Sequence, residues 1–324
     1  MAPAAFIDRF RSDLDRLIEP GTRVGIAVSG GPDSMALLLL AAAARPGEIL
    51  AATVDHGLRT ESRAEAEIVA AECARLGIPH AILPIAWERP PTSAVQESAR
   101  KARYAALASW MRGRGVPVLM TAHHLDDQAE TLLMRFNRGS GVKGLAGMRA
   151  RSPLTGAADL KLVRPLLEWR RCELEDVCAE AGVKPAADPS NDDERYERVR
   201  IRKAISDSSW LDPESLARSA SHLGFADEAI TWATDREWEE KVTVGDDRVS
   251  YTPSGAPAEI VRRVLSRAIA TLGTEGCPND LRSREIQHVI DTLRSSGTAT
   301  LRGVRCSGGP TWIFTPAKPR CPPS

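Results

Sequence analysis

Several features that would place a sequence at once are missing from this one. No C-x-x-C pair occurs; the six cysteines, Cys73, Cys172, Cys178, Cys277, Cys306 and Cys321, are scattered. Metal fingers and redox pairs need closely spaced thiols, so neither is indicated. Net charge is also absent, Lys+Arg and Asp+Glu each counting 43. A zero total gives no support to nucleic-acid binding and does not exclude it, because local basic patches attract phosphate backbones. The longest apolar run, residues 35–44, falls well short of the roughly 18 residues a membrane span needs. Residues 1–13 hold no apolar run beside a basic stretch, so no signal peptide is read. There is no internal repeat. The expectation is a soluble cytoplasmic protein with no membrane partner.

What remains is an ordinary globular composition, 43% hydrophobic and 27% charged, in 324 residues. That length suits two domains, each burying its own core. In the first half, short apolar runs at 24–28, 49–54, 81–85 and 116–122 alternate with helical patterns at 6–18, 34–44, 63–76, 93–111 and 126–137. Such alternation predicts an α/β domain, a doubly wound parallel sheet covered on both faces. Ligands in these sheets bind at the carboxyl ends of strands, which directs attention to the residues after Val28, Val54 and Ala122. A further strand at 163–167, a helix at 170–181 and a basic helix at 196–205 complete a domain expected over 1–208. Residues 209–324 read as a smaller α+β domain, with helices at 213–240, 258–272 and 283–295. Strands follow around 298–306 and 311–314, and the proline-rich tail, 316–324, is expected to fray.

The first candidate site is Ser29-Gly30-Gly31-Pro32-Asp33-Ser34, between a strand and a helix. Glycines let backbone N–H groups curl around an anion, and a helix start adds the positive end of a dipole. Pro32 suits the first helical position, where its missing N–H costs nothing. Ser29 and Ser34 offer hydroxyls to phosphate oxygens. Asp33 would repel phosphate, so a Mg²⁺ or a substrate amine is its expected partner. The loop has no Lys of the G-x-x-x-x-G-K-[ST] kind and no G-x-G-x-x-G, which excludes a Walker A site and argues against a dehydrogenase-type dinucleotide fold. A tight turn without a ligand is the plain alternative.

S-G-G-x-D-S resembles the pyrophosphate loop of the ATP pyrophosphatases, which split ATP between its α- and β-phosphates. Within that group the chain is similar to the tRNA(Ile)-lysidine synthetases. Asp55-His56-Gly57-Leu58-Arg59 resembles their second motif. His123-His124-Leu125-Asp126-Asp127-Gln128-Ala129-Glu130-Thr131 resembles the third, followed by Arg135, Arg138-Gly139-Ser140-Gly141 and Gly144-Leu145-Ala146-Gly147-Met148. Ala99-Arg100, Arg103-Tyr104, Arg164-Pro165-Leu166-Leu167 and Asp188-Pro189-Ser190-Asn191 match as well. The likeness covers residues 20–205 and fades to Thr300-Leu301-Arg302-Gly303. One departure is Arg198-Val199-Arg200-Ile201-Arg202, where the family carries Asn at the place of Val199.

The resemblance implies an adenine nucleotide alpha hydrolase-like fold and a carbon–nitrogen ligase that uses ATP with Mg²⁺. It implies adenylation of the wobble cytidine of tRNA(Ile) with a CAU anticodon, followed by attack of free L-lysine. Carried onto this chain, residues 29–34 with Asp55 and His56 would bind ATP, and Asp33 would also hold Mg²⁺. His123, Asp127, Glu130 and Arg138 would bind lysine or AMP, with Asp33, Asp127 and Glu130 catalytic. From the residues alone, Asp127 and Glu130 lie three apart and share a helix face. They suit Mg²⁺ or an amine, but also mere favour by the helix dipole, and His123, His124 and an Asp could make a transition-metal site. The basic run Arg195, Arg198, Arg200, Arg202 and Lys203 is the expected tRNA contact; a solvated face paired with Asp192, Asp193, Glu194 and Glu197 is the alternative. A tRNA thiolase and a non-catalytic nucleotide-binding module are the rival readings of the whole.

Overall fold

A chain that alternates strands and helices has to cover both faces of its sheet, and side chains along each strand must then serve two cores. The structure, a computed structural model, describes residues 2–57, 61–85, 87, 95–186, 193–273 and 283–317. Leu58, Arg59, Ser93, residues 188–192, Cys277, Cys321 and the tail beyond 317 lie outside the described residues. The chain divides into two compact units, Met1–Gly224 and Phe225–Ser324.

The first unit runs α1 (Ala4–Asp15), β1 (Val24–Ala27), α2 (Pro32–Ala44), β2 (Ile49–Asp55), α3 (Glu61–Arg75), β3 (His80–Pro84) and α4 (Val95–Arg114). It continues with β4 (Val118–Met120), α5 (Leu125–Asn137), α6 (Val142–Leu145), β5 (Arg151–Leu154), β6 (Ala157–Val163), α7 (Arg171–Glu180) and α8 (Glu197–Asp207). Its sheet has the order β3-β2-β1-β4-β6-β5, parallel except for β5. Strands alternate as expected: Val24, Ile26, Ala51 and Met120 enter one core, Leu50, Ala52 and Leu119 the other. Gly25 points to the second core, where an added Cβ would come within 2.7 Å of the Trp110 ring. Helix α2 is apolar on nearly every side and is buried beneath α1 and α7.

Three departures from the sequence reading stand out. The strand expected at 163–167 ends at Val163; Arg164 and Leu166 turn inward instead and are buried. The sheet is extended by a hairpin, β5–β6, closed at Thr155-Gly156, where Gly156 has φ +78°. The sequence places a boundary near 208, whereas the division into units falls inside α9 (Pro213–Lys241). Ala217 and Ala220, in the part of α9 that belongs to the first unit, are buried, with Ala220 facing Gly147.

The second unit contains β7 (Val242–Val244), β8 (Val249–Tyr251), α10 (Ala258–Leu272), α11 (Ser283–Arg294), β9 (Thr298–Leu301), β10 (Val304–Ser307) and β11 (Trp312–Pro316). These strands form an antiparallel sheet, β7-β8-β11-β10-β9, over a core of Tyr251, Val264, Leu265, Ile290 and Phe314. Strands β9 and β10 share the stretch read as one strand. They are joined through Arg302 and Gly303, whose φ angles of +51° and +75° belong to the tight turn that suits sheet twist.

In the first unit Trp169 is fully buried, edge-on to Phe6 and Phe10, and donates Nε1–H to Asp13 Oδ2 at 2.8 Å. Trp169→Ala is expected to cost about 3–5 kcal/mol, as large-to-small core changes do. Urea unfolding followed by far-UV circular dichroism checks this; a loss under about 1 kcal/mol would contradict the packing described.

Candidate active site

Strand order places the site. The chain runs β1, β2, β3 towards one edge and then crosses to β4 on the other side of β1. Loops leaving the carboxyl ends of β1 and β4 therefore diverge around one crevice. The glycine loop follows β1 and the His123-His124 segment follows β4, so residues some 90 apart in sequence meet there.

The loop is internally braced. Gly30 has φ +91°, a left-handed conformation that favours glycine, and its carbonyl accepts the Ala186 N–H at 2.9 Å. Ser34 Oγ donates to Gly31 O at 3.0 Å and accepts the Ser29 N–H at 3.1 Å. A hydroxyl has one proton, so the Ser34 proton is already used within the loop, while Ser29 Oγ lies 3.1 Å from Ser34 Oγ. Gly31 is the N-cap of α2 and Pro32 its first residue; no side chain caps the helix, which leaves its dipole end to an anion. Asp33, one residue on, keeps Oδ1 buried without a hydrogen-bond partner.

Opposite stands the start of α5. His124 is its N-cap and is fully buried. Its Nε2 lies 3.5 Å from Asp33 Oδ2 and 3.6 Å from Asp127 Oδ2, and its Nδ1 lies 3.6 Å from Asp126 Oδ2. Burial pushes the His124 pKa down, but Asp126, Asp33 and Asp127 outweigh burial and raise it to about 9. The ring is therefore a cation at neutral pH. Burial pushes Asp126 up, yet His124, the Arg171 N–H and the Arg170 guanidinium hold it well below the usual carboxylate range. Asp127 is likewise lowered despite burial, by His124, Arg198 and His123, and accepts the His124 N–H at 3.2 Å. It thus serves the helix terminus as well as the crevice.

Glu130, one turn on, is buried among three arginines. Arg202 Nε donates to Oε1 at 2.8 Å, Arg171 Nη2 reaches Oε1 at 3.3 Å, and Arg198 Nε lies 3.3 Å from Oε2. Arg198 also lies 3.9 Å from Asp127 Oδ1, so one guanidinium spans both acids. Beside them opens a pocket of about 420 Å³, lined among others by Asp126, Glu130, Arg170, Arg171 and Arg202.

The structure thus brings together the glycine loop, Asp33, Asp127 and Glu130. Other expected site residues stand apart. Arg138 pairs with Glu197 at the far end of α5, about 12 Å along the helix from Glu130. His123, by contrast, lies near Asp127, with Nδ1 2.9 Å from Thr121 Oγ1 and Arg164, Arg103 and Arg100 also nearby. Asp55 ends β2 and accepts the Gly57 N–H at 2.9 Å, while the His56 carbonyl accepts Trp87 Nε1–H at 2.8 Å. The basic run splits: Arg198 and Arg202, four apart, face the α5 acids. Arg195 pairs with Asp193, Lys203 with Glu194, and Arg200 donates to the carbonyls of Glu194 and Arg195. Among the described residues no group of three or more His, Cys, Asp or Glu is spaced to hold a metal.

Sequence reasoning gives no role in this site to Asp126, Arg170 and Arg171, and reads His124 only as a ligand of a possible transition-metal site. Asp126 accepts the Arg171 N–H at 2.8 Å, and Arg170 Nε reaches its carboxylate at 3.3 Å. The adjacent pairs H-H, D-D and R-R are the available signal, but which member of each faces inward depends on the tertiary fold.

The comparisons with known proteins agree with this geometry. The PP-loop domain family matches residues 7–209. A tRNA(Ile)-lysidine synthase from Novosphingobium aromaticivorans is 48% identical over 297 residues, 92% of this chain and 89% of the relative. The chain belongs to the tRNA(Ile)-lysidine synthase family. A second synthase of this name, from Zymomonas mobilis, is 39% identical over 299 residues, again 92% and 89% of the two chains. Among solved structures, the U34-tRNA thiolase NcsA from Methanococcus maripaludis, with its [4Fe-4S] cluster, superposes with a TM-score of 0.57. That likeness, at 17% identity over 68% of this chain and 80% of that one, supports the fold alone. As a family member the chain carries a PP-loop ATP-using domain.

Burial pushes the His123 pKa down to about 4; Asp127 opposes this, and Arg164, Arg103 and Arg100 reinforce it. An unfolded histidine takes up its proton near pH 6.5, before the folded one does. This group therefore makes stability fall as pH drops from about 6.5 towards 4. His123→Gln is expected to flatten that part of the pH–stability curve. Urea midpoints between about pH 7 and 5 give the test, and parallel curves for the two proteins would refute the assignment.

Proposed function

We propose that this chain adenylates the carbon-2 oxygen of the wobble cytidine in tRNA(Ile) bearing a CAU anticodon, and then joins free L-lysine to that carbon. In the first step the cytidine oxygen attacks the α-phosphorus of ATP and pyrophosphate leaves. In the second the lysine ε-amine attacks carbon 2, and AMP leaves with the oxygen. The observation that carries this reading is the meeting of Asp33, from the glycine loop, with Asp127 of α5 at one ring nitrogen of His124. A nucleotide-binding module would need the loop; it would not need acids gathered from a second element.

The backbone of residues 29–31 and the uncapped start of α2 suit the β- and γ-phosphates and the charge that grows on departing pyrophosphate. The orphaned Oδ1 of Asp33 suits Mg²⁺, which usually takes one or two carboxylates plus phosphate oxygens. Asp33, with Asp127 opposite, would hold it, and it would neutralise charge on the triphosphate. Asp55 and His56, at the end of the strand next to β1, would contact the adenosine half. His123, with Arg100, Arg103 and Arg164 near it, suits the phosphate of AMP.

Lysine is a zwitterion with a second amine, and the pocket beside α5 has a matching polarity. Arg170, Arg171 and Arg202 line it together with Asp126 and Glu130, beside apolar Ala129, Ile205 and Pro213. Arg171 Nε is buried with no hydrogen-bond partner, which suits an incoming carboxylate. The ε-amine then extends towards Asp127, whose carboxylate is ionised at neutral pH and can take the proton the nucleophile must lose. Arg195, Arg200 and Lys203 remain candidate tRNA contacts, and Arg138, expected at the lysine or AMP site, would join them; all would exchange their present acidic or carbonyl partners for phosphate. A wobble base is already unpaired, so presenting it costs little. The second unit would hold the tRNA body.

Incubation with Mg-ATP, labelled lysine and unmodified tRNA(Ile), followed by nucleoside mass spectrometry, tests the whole reading. Lysine-dependent mass gain at the wobble cytidine is expected; AMP release without lysine incorporation would reassign the nucleophile. Two variants separate the parts. Asp33→Ala is expected to abolish tRNA-dependent pyrophosphate release while leaving the circular dichroism spectrum intact. Arg171→Ala is expected to raise KM for lysine by about tenfold, the worth of one charge-assisted hydrogen bond, with KM for ATP unchanged.

A further inference from the structure

The reaction as proposed gives His124 no part, yet its position is unusual. A fully buried imidazole has neither nitrogen at hydrogen-bond distance from a partner, a costly arrangement unless charge nearby compensates it. Compensation comes from acids on two helices. Nε2 faces Asp33 of α2 at 3.5 Å and Asp127 of α5 at 3.6 Å, while Nδ1 faces Asp126 at 3.6 Å. Asp126 is also held by Arg170 and by the Arg171 N–H, and Asp127 by its own helix terminus and Arg198. The ion pair joining Asp33 to α5 runs through the Nε2 side of the ring.

We propose that His124 is a positioning residue whose Nε2 edge aims Asp33 and Asp127 at one point and thereby sets the width of the gap that receives the metal–nucleotide complex. Two carboxylates that approach one point repel, and without a group between them they swing apart. The Nε2 edge, 3.5 Å from Asp33 and 3.6 Å from Asp127, stands between them and orients both. The Nδ1 edge acts differently, seating the ring against Asp126, which is itself fixed to α7. This inference rests on the reading of the glycine loop as the ATP site.

The two edges can be separated by substitution. His124→Gln places an amide N–H near the position of Nε2, and His124→Asn places one near Nδ1. Both leave a smaller neutral side chain in the same cavity, so a purely structural role would penalise them alike. The readout is the affinity of the full chain for manganese–ATP, followed by electron paramagnetic resonance, with kcat and KM for pyrophosphate release alongside. His124→Gln is expected to stay within about twofold of the unmodified chain, while His124→Asn loses about tenfold or more. Equal affinities for the two variants, or tighter binding by His124→Asn, would overturn the proposal. Failure of the unmodified chain itself to bind manganese–ATP would overturn the ATP reading and the proposal with it. Where a variant does not fold, the histidine ring ¹⁵N spectrum of the unmodified chain decides. The Nε2 signal is expected to move on addition of Mg-ATP and the Nδ1 signal to move less. Equal movement of the two, or a larger shift at Nδ1, would overturn the assignment.

Discussion

Buried negative charge is the constraint on which the rest of the first unit depends. Asp126, Asp127 and Glu130 come from two turns of one helix, and Asp33 is added to them from another. An ionised carboxylate removed from water is unfavourable by several kcal/mol unless it is paired and hydrogen-bonded. The surrounding cations supply that pairing. His124 faces three aspartates, Arg170 holds Asp126, and Arg171, Arg198 and Arg202 converge on Glu130. Those cations come from α5, α7 and α8, so compensation is also what fixes these helices around the crevice. Removing one partner would strand a charge, whereas removing a surface pair would change little.

The glycine loop depends on the same arrangement through topology. A parallel sheet that reverses its winding direction between β1 and β4 leaves a crevice at their carboxyl ends. Loop, acids and pocket all stand on that side. The hydrophobic cores on the two faces hold strand ends rigid, while the loops above carry the chemistry. The Gln128 side chain shows how far the bracing extends. Its Nε2 donates to Met148 O at 2.8 Å and its Oε1 accepts the Met148 N–H at 2.7 Å. This side chain tethers the glycine-rich segment after α5, where Gly147 at φ +64° leaves no room for a Cβ beside Gln128.

Much of this is legible in the sequence, for identifiable reasons. Short apolar runs and helical spacing locate β1 to β4 and α1 to α5, because β1, β2 and β4 are buried on both faces while the helices, apart from the enclosed α2, keep one face to solvent. The strand-to-helix glycine loop is legible since its chemistry is local. Less is legible wherever tertiary contacts choose between neighbours. Pairs such as His123-His124 and Arg170-Arg171 look equivalent in sequence, yet His124 is enclosed by acids and His123 faces arginines. The run from Arg195 to Lys203 reads as one basic face; helical geometry sends Arg198 and Arg202 inward and leaves the rest outward. Strands β7 and β8 are only three residues long and lie in a polar stretch, too short to show a period.

The paired arginines also change what a neutral chain means. Zero net charge could have concealed a strong basic patch, but α8 offers little uncompensated charge: two of its arginines serve Glu130, and Lys203 is matched by Glu194. Were this helix to hold a phosphate backbone, as proposed, Lys203 would have to exchange Glu194 for it, while Arg200 would give up only carbonyls. Exchange is selective where simple attraction is not, since a phosphate displaces a carboxylate only when its geometry equals the one it replaces. The same logic applies within the pocket. An ammonium approaching Glu130 competes with three guanidinium groups already there, whereas a carboxylate approaching Arg171 Nε meets an unused donor. Under the proposed reaction a zwitterion would therefore be oriented before it reacts, its carboxylate towards α7 and its amine away from Glu130.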